Sequence, residues 1–224
     1  MDKRLVVASL NYSSWSVRAW LALKHAKIPF SIQEVPLQVA PGWKEQILAF
    51  SGAGRVPILM DGALTIHESL AICEYAAELE PGARLWPENR DLRAKARAIS
   101  CEMLSNFAAL RDELSMNARG RVRGFAVSEA VCQEIIRATS IWSDALQRSG
   151  GPYLFGHFTI ADCMYLPVLS RFRTYRVELE GDALAYDRRM WQNPVVKEWY
   201  AIALSATAIP VYDEEFQQRG GSLA

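Results

Sequence analysis

The stretch from Gly54 to Ser69, Gly-Arg-Val-Pro-Ile-Leu-Met-Asp-Gly-Ala-Leu-Thr-Ile-His-Glu-Ser, constrains the fold more than any other part of the chain. Val56 to Met60 is a short apolar run that reads as a strand. Asp61-Gly62 is a hairpin signal, because glycine accepts the positive φ of a tight turn, and Ala63 to Ile66 reads as the returning strand. Pro57 stands at the head of the first strand, where its missing N–H costs least. Proline lowers the cis penalty to about 0.5–1 kcal/mol, so Val56-Pro57 is a candidate cis bond. Such a bond turns the Val56 backbone outward, where its N–H and C=O can pair with an extended ligand. Glu68-Ser69 opens the helical pattern that follows, and the free N–H groups of a helix start attract a carboxylate. A backbone clamp beside an anion site suits a small peptide. The plain alternative is an ordinary hairpin followed by a helix.

The flanking segments extend this unit. Leu5 to Ala8 is a compact apolar run that reads as a buried strand, and Asn11-Tyr12-Ser13-Ser14 is a polar turn. From Trp15 the pattern is helical, with Val17, Trp20 and Leu21 on one stripe and Arg18 and Lys24 left for solvent or a site. Pro29 restricts Ile28 and stops the helix near Lys27. Ser31 to Val35 alternates as a second strand, and Gly42 to Phe50 forms a short helix. The order strand, helix, strand, helix, strand, strand, helix is that of an α/β thioredoxin-like domain. Pro81-Gly82, Pro87 and Asn89 break the chain, which places domain one at 1–80, a linker at 81–90 and an all-helical domain at 91–224.

Within the second domain, Leu92, Ala96, Ile99, Met103, Phe107, Leu110 and Leu114 recur at helical spacing and predict one long helix from Asp91 to about Met116. Val131 to Leu146 predicts a second. Thr159 and Asp162 have the spacing of a capping box, with Asp in place of Glu. Asn193-Pro194 opens a further helix through Leu204. Arg119 to Arg123 reads as a solvated loop and the Gly-Gly-Ser-Leu-Ala tail as frayed.

Lys+Arg and Asp+Glu both number 25, so no global field draws the chain to nucleic acid or to a membrane. The N-terminus lacks the apolar core of a secretion signal, and no run is long enough to span a bilayer. A cytoplasmic location is the expectation. Cys73, Cys101, Cys132 and Cys163 show neither Cys-x-x-Cys nor zinc spacing and read as four buried thiols. His25, His67 and His157 lie far apart, so no metal site is expected.

The Val-Pro strand, Asp-Gly turn and Glu-Ser helix start together resemble the glutathione site of cytosolic glutathione transferases. Thr-x-Ala-Asp at Thr159–Asp162 is similar to the N-capping box in the second domain of that family. Ser-Ser-Trp-Ser-Val-Arg from Ser13 to Arg18 resembles the Ser-Ser-Cys-Ser-Trp-Arg segment of its zeta class. The resemblance covers nearly the whole chain and implies that glutathione is the co-substrate. Its thiol would be activated by Ser13, with Ser14 the alternative donor and Arg18 in support. Glutathione would be held by Arg55, Val56, Pro57, Glu68, Ser69 and Lys44. An apolar electrophile would lie between the domains against Tyr12, Trp15, Phe107, Leu110 and Tyr165. The resemblance also implies a homodimer.

A free thiol titrates near 8.5. Lowering it by two units takes about 2.7 kcal/mol, within reach of a hydroxyl donor at a helix N-terminus. Trp15 replaces the zeta cysteine, which disfavours thiol-reductase chemistry. Three functions remain open: conjugation to an apolar electrophile, a zeta-like isomerase acting on maleylacetoacetate or maleylpyruvate, and a non-catalytic interaction module. The isomerase needs a cation for substrate carboxylates. The family's arginine position falls on Thr174, with Arg173 beside it.

Overall fold

The computed structural model describes residues 2–36 and 41–223. The first half is a four-stranded sheet in the order β2-β1-β3-β4. β1 (Lys3–Val7) is parallel to β2 (Phe30–Glu34) and antiparallel to β3 (Ile58–Asp61), which returns through β4 (Leu64–His67). Leu5, Val6 and Val7 are wholly buried because the sheet is covered on both faces. Val6 and Ile58 pack with Val35 and with Ile47 of α2 (Trp43–Leu48) on one face. Leu5, Val7 and Leu59 join the main core with α1 (Ser14–His25) and α3 (Ser69–Leu79) on the other. In the hairpin, Asp61 pairs with Leu64, so the two-residue loop is Gly62-Ala63, with Gly62 at φ +61°. The sequence signal was therefore right about the hairpin and one residue early about its loop.

Most of α1 is inaccessible to solvent, since it packs against α3 of its own domain and against α7 (Ile160–Tyr175) and α9 (Pro194–Ser205) of the helical half. Arg18, expected to face solvent or a site, is fully buried on this helix.

After a 3-10 turn at Pro81–Ala83, α4 (Arg90–Ser105) begins with Asn89 as its N-cap. The predicted single long helix is in fact two. α4 stops at Ser105, Phe107 adopts a left-handed φ of +61°, and α5 runs Ala108–Glu113. Arg111 Nη1 reaches back to the carbonyls of Met103 and Asn106, satisfying acceptors that a helix end leaves free. Glu134 on α6 (Glu129–Ser149) takes the Leu110 N–H at 2.7 Å. The apolar spacing survives the break, so the pattern could not reveal it.

Two helices escaped the sequence reading: α8 (Gly181–Gln192) and α10 (Pro210–Gln218). Pro210 at the first turn with Asp213 three residues on was the available signal for α10. The presumed solvated loop and frayed tail instead pair as β5 (Gly120–Val122) and β6 (Gly221–Leu223). A Cβ at Gly120 or Gly221 would overlap the Phe216 ring, which fills the space between the strands and α10. Cys73 and Cys163 are buried as expected, whereas Cys101 and Cys132 lie on exposed faces of α4 and α6. Among the described residues, no helix is long and apolar enough to cross a membrane.

Candidate active site

Two cavities meet at the start of α1. The first, about 510 Å³, is lined by Arg55, Val56, Pro57, His67 and Glu68 from the thioredoxin-like half, Trp43 and Ile47 from α2, and Leu104 from α4. Val56-Pro57 is cis, and Val56 lies before the first laddered residue of β3, Ile58. Glu68 is exposed and holds φ +70° at the N-cap of α3. A non-glycine residue there costs of the order of 1–3 kcal/mol. Ser69 is fully buried, yet its hydroxyl has no partner among the described residues. A buried hydroxyl left unpaired costs roughly 1–3 kcal/mol. A hydroxyl of this kind beside the free N–H groups of α3 fits a bound carboxylate, so these residues suit one end of a small peptide. Lys44 is exposed on α2 and does not line this cavity; its neighbour Trp43 does.

The second cavity, about 460 Å³, lies between the halves, under α10. Ser9, Tyr12, Ser13, Ser14 and Trp15 form one wall, Arg111, Met116, Asn117 and Arg171 another, and Ile209, Tyr212 and Glu215 the roof. Ser13 and Trp15 alone of the predicted residues line both cavities. Ser13 caps α1, accepting the Ser16 N–H at 3.3 Å, and donates its own O–H to Ser16 Oγ at 2.9 Å. Ser14, four per cent exposed, lines only the second cavity and makes no hydrogen bond through its hydroxyl to a described residue. Trp15 lies against two guanidinium groups, Arg18 at 4.6 Å and Arg111 at 5.7 Å from its ring centre.

Several predicted residues stand elsewhere. Phe107, Leu110 and Tyr165 are core, with Phe107 edge-on to Tyr165 and Tyr165 in turn against Trp142. Arg173 is exposed and stacks on Trp191 and Tyr200 at 4.5 and 4.8 Å, on the far side of α7. Thr174 is buried, its hydroxyl on the Asn117 and Ser170 carbonyls. Arg18 donates through Nε to the Met164 carbonyl at 3.0 Å, while Nη1 and Nη2 have no hydrogen-bond partner among the described residues. Burial, then the charges of Arg171 and Arg111, lower its pKa to about 9.

The arginines that do reach the second cavity, Arg111 and Arg171, were not anticipated. Arg171 is buried, with Nε on the Leu114 carbonyl at 2.7 Å and Nη1 on that of Pro167 at 3.1 Å. Burial and then Arg111 lower its pKa to about 10. Among the described residues neither arginine is in an ion pair. Arg171 precedes Thr174 by three residues, one helical turn, so an arginine facing this pocket could have been sought there.

A thioredoxin-like domain with a cis-proline clamp, closed by a helical domain that adds a second pocket, defines a thiol-peptide-dependent transferase. The comparisons with known proteins agree. The chain matches the glutathione S-transferase N-terminal domain over residues 12–79 and the glutathione S-transferase C-terminal domain over residues 107–201. It is 29% identical over 169 residues to maleylacetoacetate isomerase of Mus musculus, covering 74% of this chain and 76% of the relative. It is 28% identical over 189 residues to probable maleylacetoacetate isomerase 2 of Drosophila melanogaster, covering 82% and 81%. A glutathione transferase homologue from Burkholderia, solved with bound glutathione, superposes with a TM-score of 0.69 at 25% identity over 92% of this chain and 99% of that one. The chain belongs to the glutathione S-transferase family and is an enzyme of that family.

Proposed function

We propose that the protein adds the glutathione thiolate to an electrophile that carries a carboxylate, and that its preferred substrates are cis-alkenes conjugated to a ketone. The observation that carries this reading is the pair Arg111 and Arg171 at the second cavity, neither in an ion pair with a carboxylate among the described residues. Its acidic residues, Asp112 and Glu215, are exposed at the mouth. Arg171, buried and held by carbonyls, keeps an uncompensated charge, and half-buried Arg111 adds a second that Glu134 and Asp112 only partly offset; guanidinium groups bind carboxylates through paired N–H donors. A purely apolar electrophile leaves that charge unanswered. The names of the mouse and fly relatives favour the same chemistry.

In this reading glutathione lies in the first cavity, its γ-glutamyl end at Glu68 and Ser69 and its cysteinyl backbone along Val56. Its sulfur then sits at the junction, where Ser13 can donate. The thiolate attacks the alkene, a C–S bond forms and the electron pair moves onto the ketone as an enolate. The former double bond is now single and can rotate. Collapse of the enolate expels the thiolate and leaves the trans alkene, whereas protonation leaves a conjugate. Arg111 or Arg171 anchors the carboxylate while rotation proceeds. The active unit is read as a homodimer; sedimentation should give a mass near twice 25.1 kDa.

The deciding experiment compares glutathione-dependent turnover of maleylacetoacetate with that of its methyl ester, in the wild type and in Arg171→Met. Charge-assisted hydrogen bonds are worth about 1.5–3 kcal/mol. The ester should therefore lose at least about tenfold in kcat/KM, and the variant should erase the preference. Equal turnover of acid and ester by the wild type would sink the carboxylate reading.

A further inference from the structure

We propose that Asp213 is a positioning residue for the transfer reaction: it fixes the loop that carries Ser13 against the helix roofing the second cavity. This inference rests on the reading that Ser13 acts at the glutathione sulfur. Asp213 lines neither cavity, so it acts through what it holds. It is six per cent exposed on α10 and gathers three donors from two segments, the loop before α1 and the one between α5 and β5. The Tyr12 hydroxyl donates to Oδ1 at 2.7 Å, Asn117 Nδ2 donates to the same oxygen at 3.0 Å, and Arg119 Nη2 reaches Oδ2 at 3.2 Å.

Tyr12 is the centre of this knot. Besides donating to Asp213, its hydroxyl accepts from Arg119 Nη2 and from the Ile209 N–H at 3.2 Å. One donor and two acceptor sites are all that a phenol offers, so the hydroxyl is saturated and unavailable to a thiol. Desolvation raises its pKa, and the Asp213 carboxylate adds to the rise. Tyr12 directly precedes Ser13, and both residues' N–H groups close on the Ser9 carbonyl at 3.1 and 2.9 Å. Asn11 extends the same tie, donating to Asn117 at 3.0 Å and accepting the Arg119 N–H at 3.2 Å. The loop that sets the Ser13 hydroxyl is thereby bonded to the segment that carries Ile209, Tyr212 and Glu215 over the second substrate. Displacing a reacting group by an ångström can cost about a hundredfold in rate, so Asp213 has a lever on catalysis although it lines neither cavity.

Four variants test this: Asp213→Asn, Tyr12→Phe, the two combined, and Asp213→Asn with Arg119→Gln. Each is assayed with glutathione and chlorodinitrobenzene, with glutathione affinity measured separately by calorimetry. Asp213→Asn keeps the size of the side chain but leaves Arg119 without its counter-charge. Asp213→Asn with Arg119→Gln removes the charge pair together and guards against a folding defect. We expect each single variant to raise KM for chlorodinitrobenzene about tenfold and to raise the apparent pKa of the bound thiol. Glutathione affinity should stay within about twofold, because Val56, Glu68 and Ser69 are remote from the knot. Residues acting as one unit are not additive, so Tyr12→Phe/Asp213→Asn should be no worse than the poorer single variant. Loss of thermal stability with KM and thiol pKa unchanged would overturn the proposal, as would effects that multiply in the double variant. An unchanged thiol pKa in Ser13→Ala would instead overturn the Ser13 reading, and the KM test of Asp213 would stand apart from it.

Discussion

At the scale of the residue, Ser13 caps α1, and the thiol-activating role proposed for it is compatible with that cap. A hydroxyl has two acceptor sites and one donor. As a cap, Ser13 uses an acceptor site for the Ser16 N–H, and its O–H rests on Ser16 Oγ, which also takes the Ala8 N–H at 3.2 Å. The O–H can therefore turn from Ser16 to a thiolate without undoing the cap. Ser13→Ala should then produce two effects that a pure cap would not join. Stability should fall by about 0.5–2 kcal/mol, and turnover near neutral pH by about 10²–10³ through the lost donor. Ultraviolet titration of bound glutathione should show a raised thiol pKa in Ser13→Ala and a smaller shift in Ser14→Ala. The reverse order would make Ser14, whose hydroxyl has no partner among the described residues, the donor. Arg18 was legible as part of the Ser-Ser-x-Ser-x-Arg segment, but its burial was not. Side-chain charge predicts exposure, and only the packing of α1 beneath α7 shows that this arginine is enclosed.

At the scale of the element, the sequence was readable where a local rule acts and unreadable where distant groups decide. The hairpin, the cis-proline strand and the Thr159–Asp162 box follow from short-range chemistry, and all three are present. The break between α4 and α5 depends on Glu134 and on Arg111 folding back, and β5–β6 depends on partners a hundred residues apart. The second cavity's arginines lie on separate helices: one turn of α7 from Thr174 points to Arg171, whereas Arg111 reaches the cavity only because the chain breaks at Phe107. Even the capping box exceeds its local reading. Asp162 accepts the Thr159 N–H at 2.7 Å and also the Leu154 N–H at 3.2 Å and the Tyr186 hydroxyl at 3.0 Å, all buried. Removing the carboxylate strips the cap, at about 0.5–2 kcal/mol, and orphans two further buried donors at roughly 1–3 kcal/mol each. Asp162→Ala should therefore lose more than a cap alone, about 3 kcal/mol or more by urea unfolding. The folded fraction should retain wild-type kcat. A loss confined to the cap range would mean that Leu154 and Tyr186 find other partners.

At the scale of the whole molecule, backbone and side-chain bonds tie the helical half to the first half and to the linker. Trp199 Nε1 donates to the Leu10 carbonyl at 3.1 Å, and the Ile160 N–H donates to that of Leu85 at 2.9 Å. At the C-terminal end of α1, Lys24 pairs with Glu198 at 2.6 Å and the His25 ring lies 4.6 Å from Phe158. Burial first, then the charges of His157 and Lys27, lower the pKa of His25 below its ordinary 6.5. The sign of the linkage follows from that direction. As pH falls through about 6.5, the unfolded chain takes up a proton that the folded seam refuses, so stability drops until the folded pKa is reached. Above 6.5 both states are neutral at this residue and the contribution is flat. Thermal unfolding of the wild type and His25→Gln at pH 7.5 and pH 5.5 isolates this group from the carboxylates, which titrate in both proteins. The wild type should lose more of its melting temperature across this interval than the variant. Equal losses would place the proton-linked step elsewhere, whereas a flatter response in His25→Gln would make this junction an acid-sensitive point of the interdomain seam.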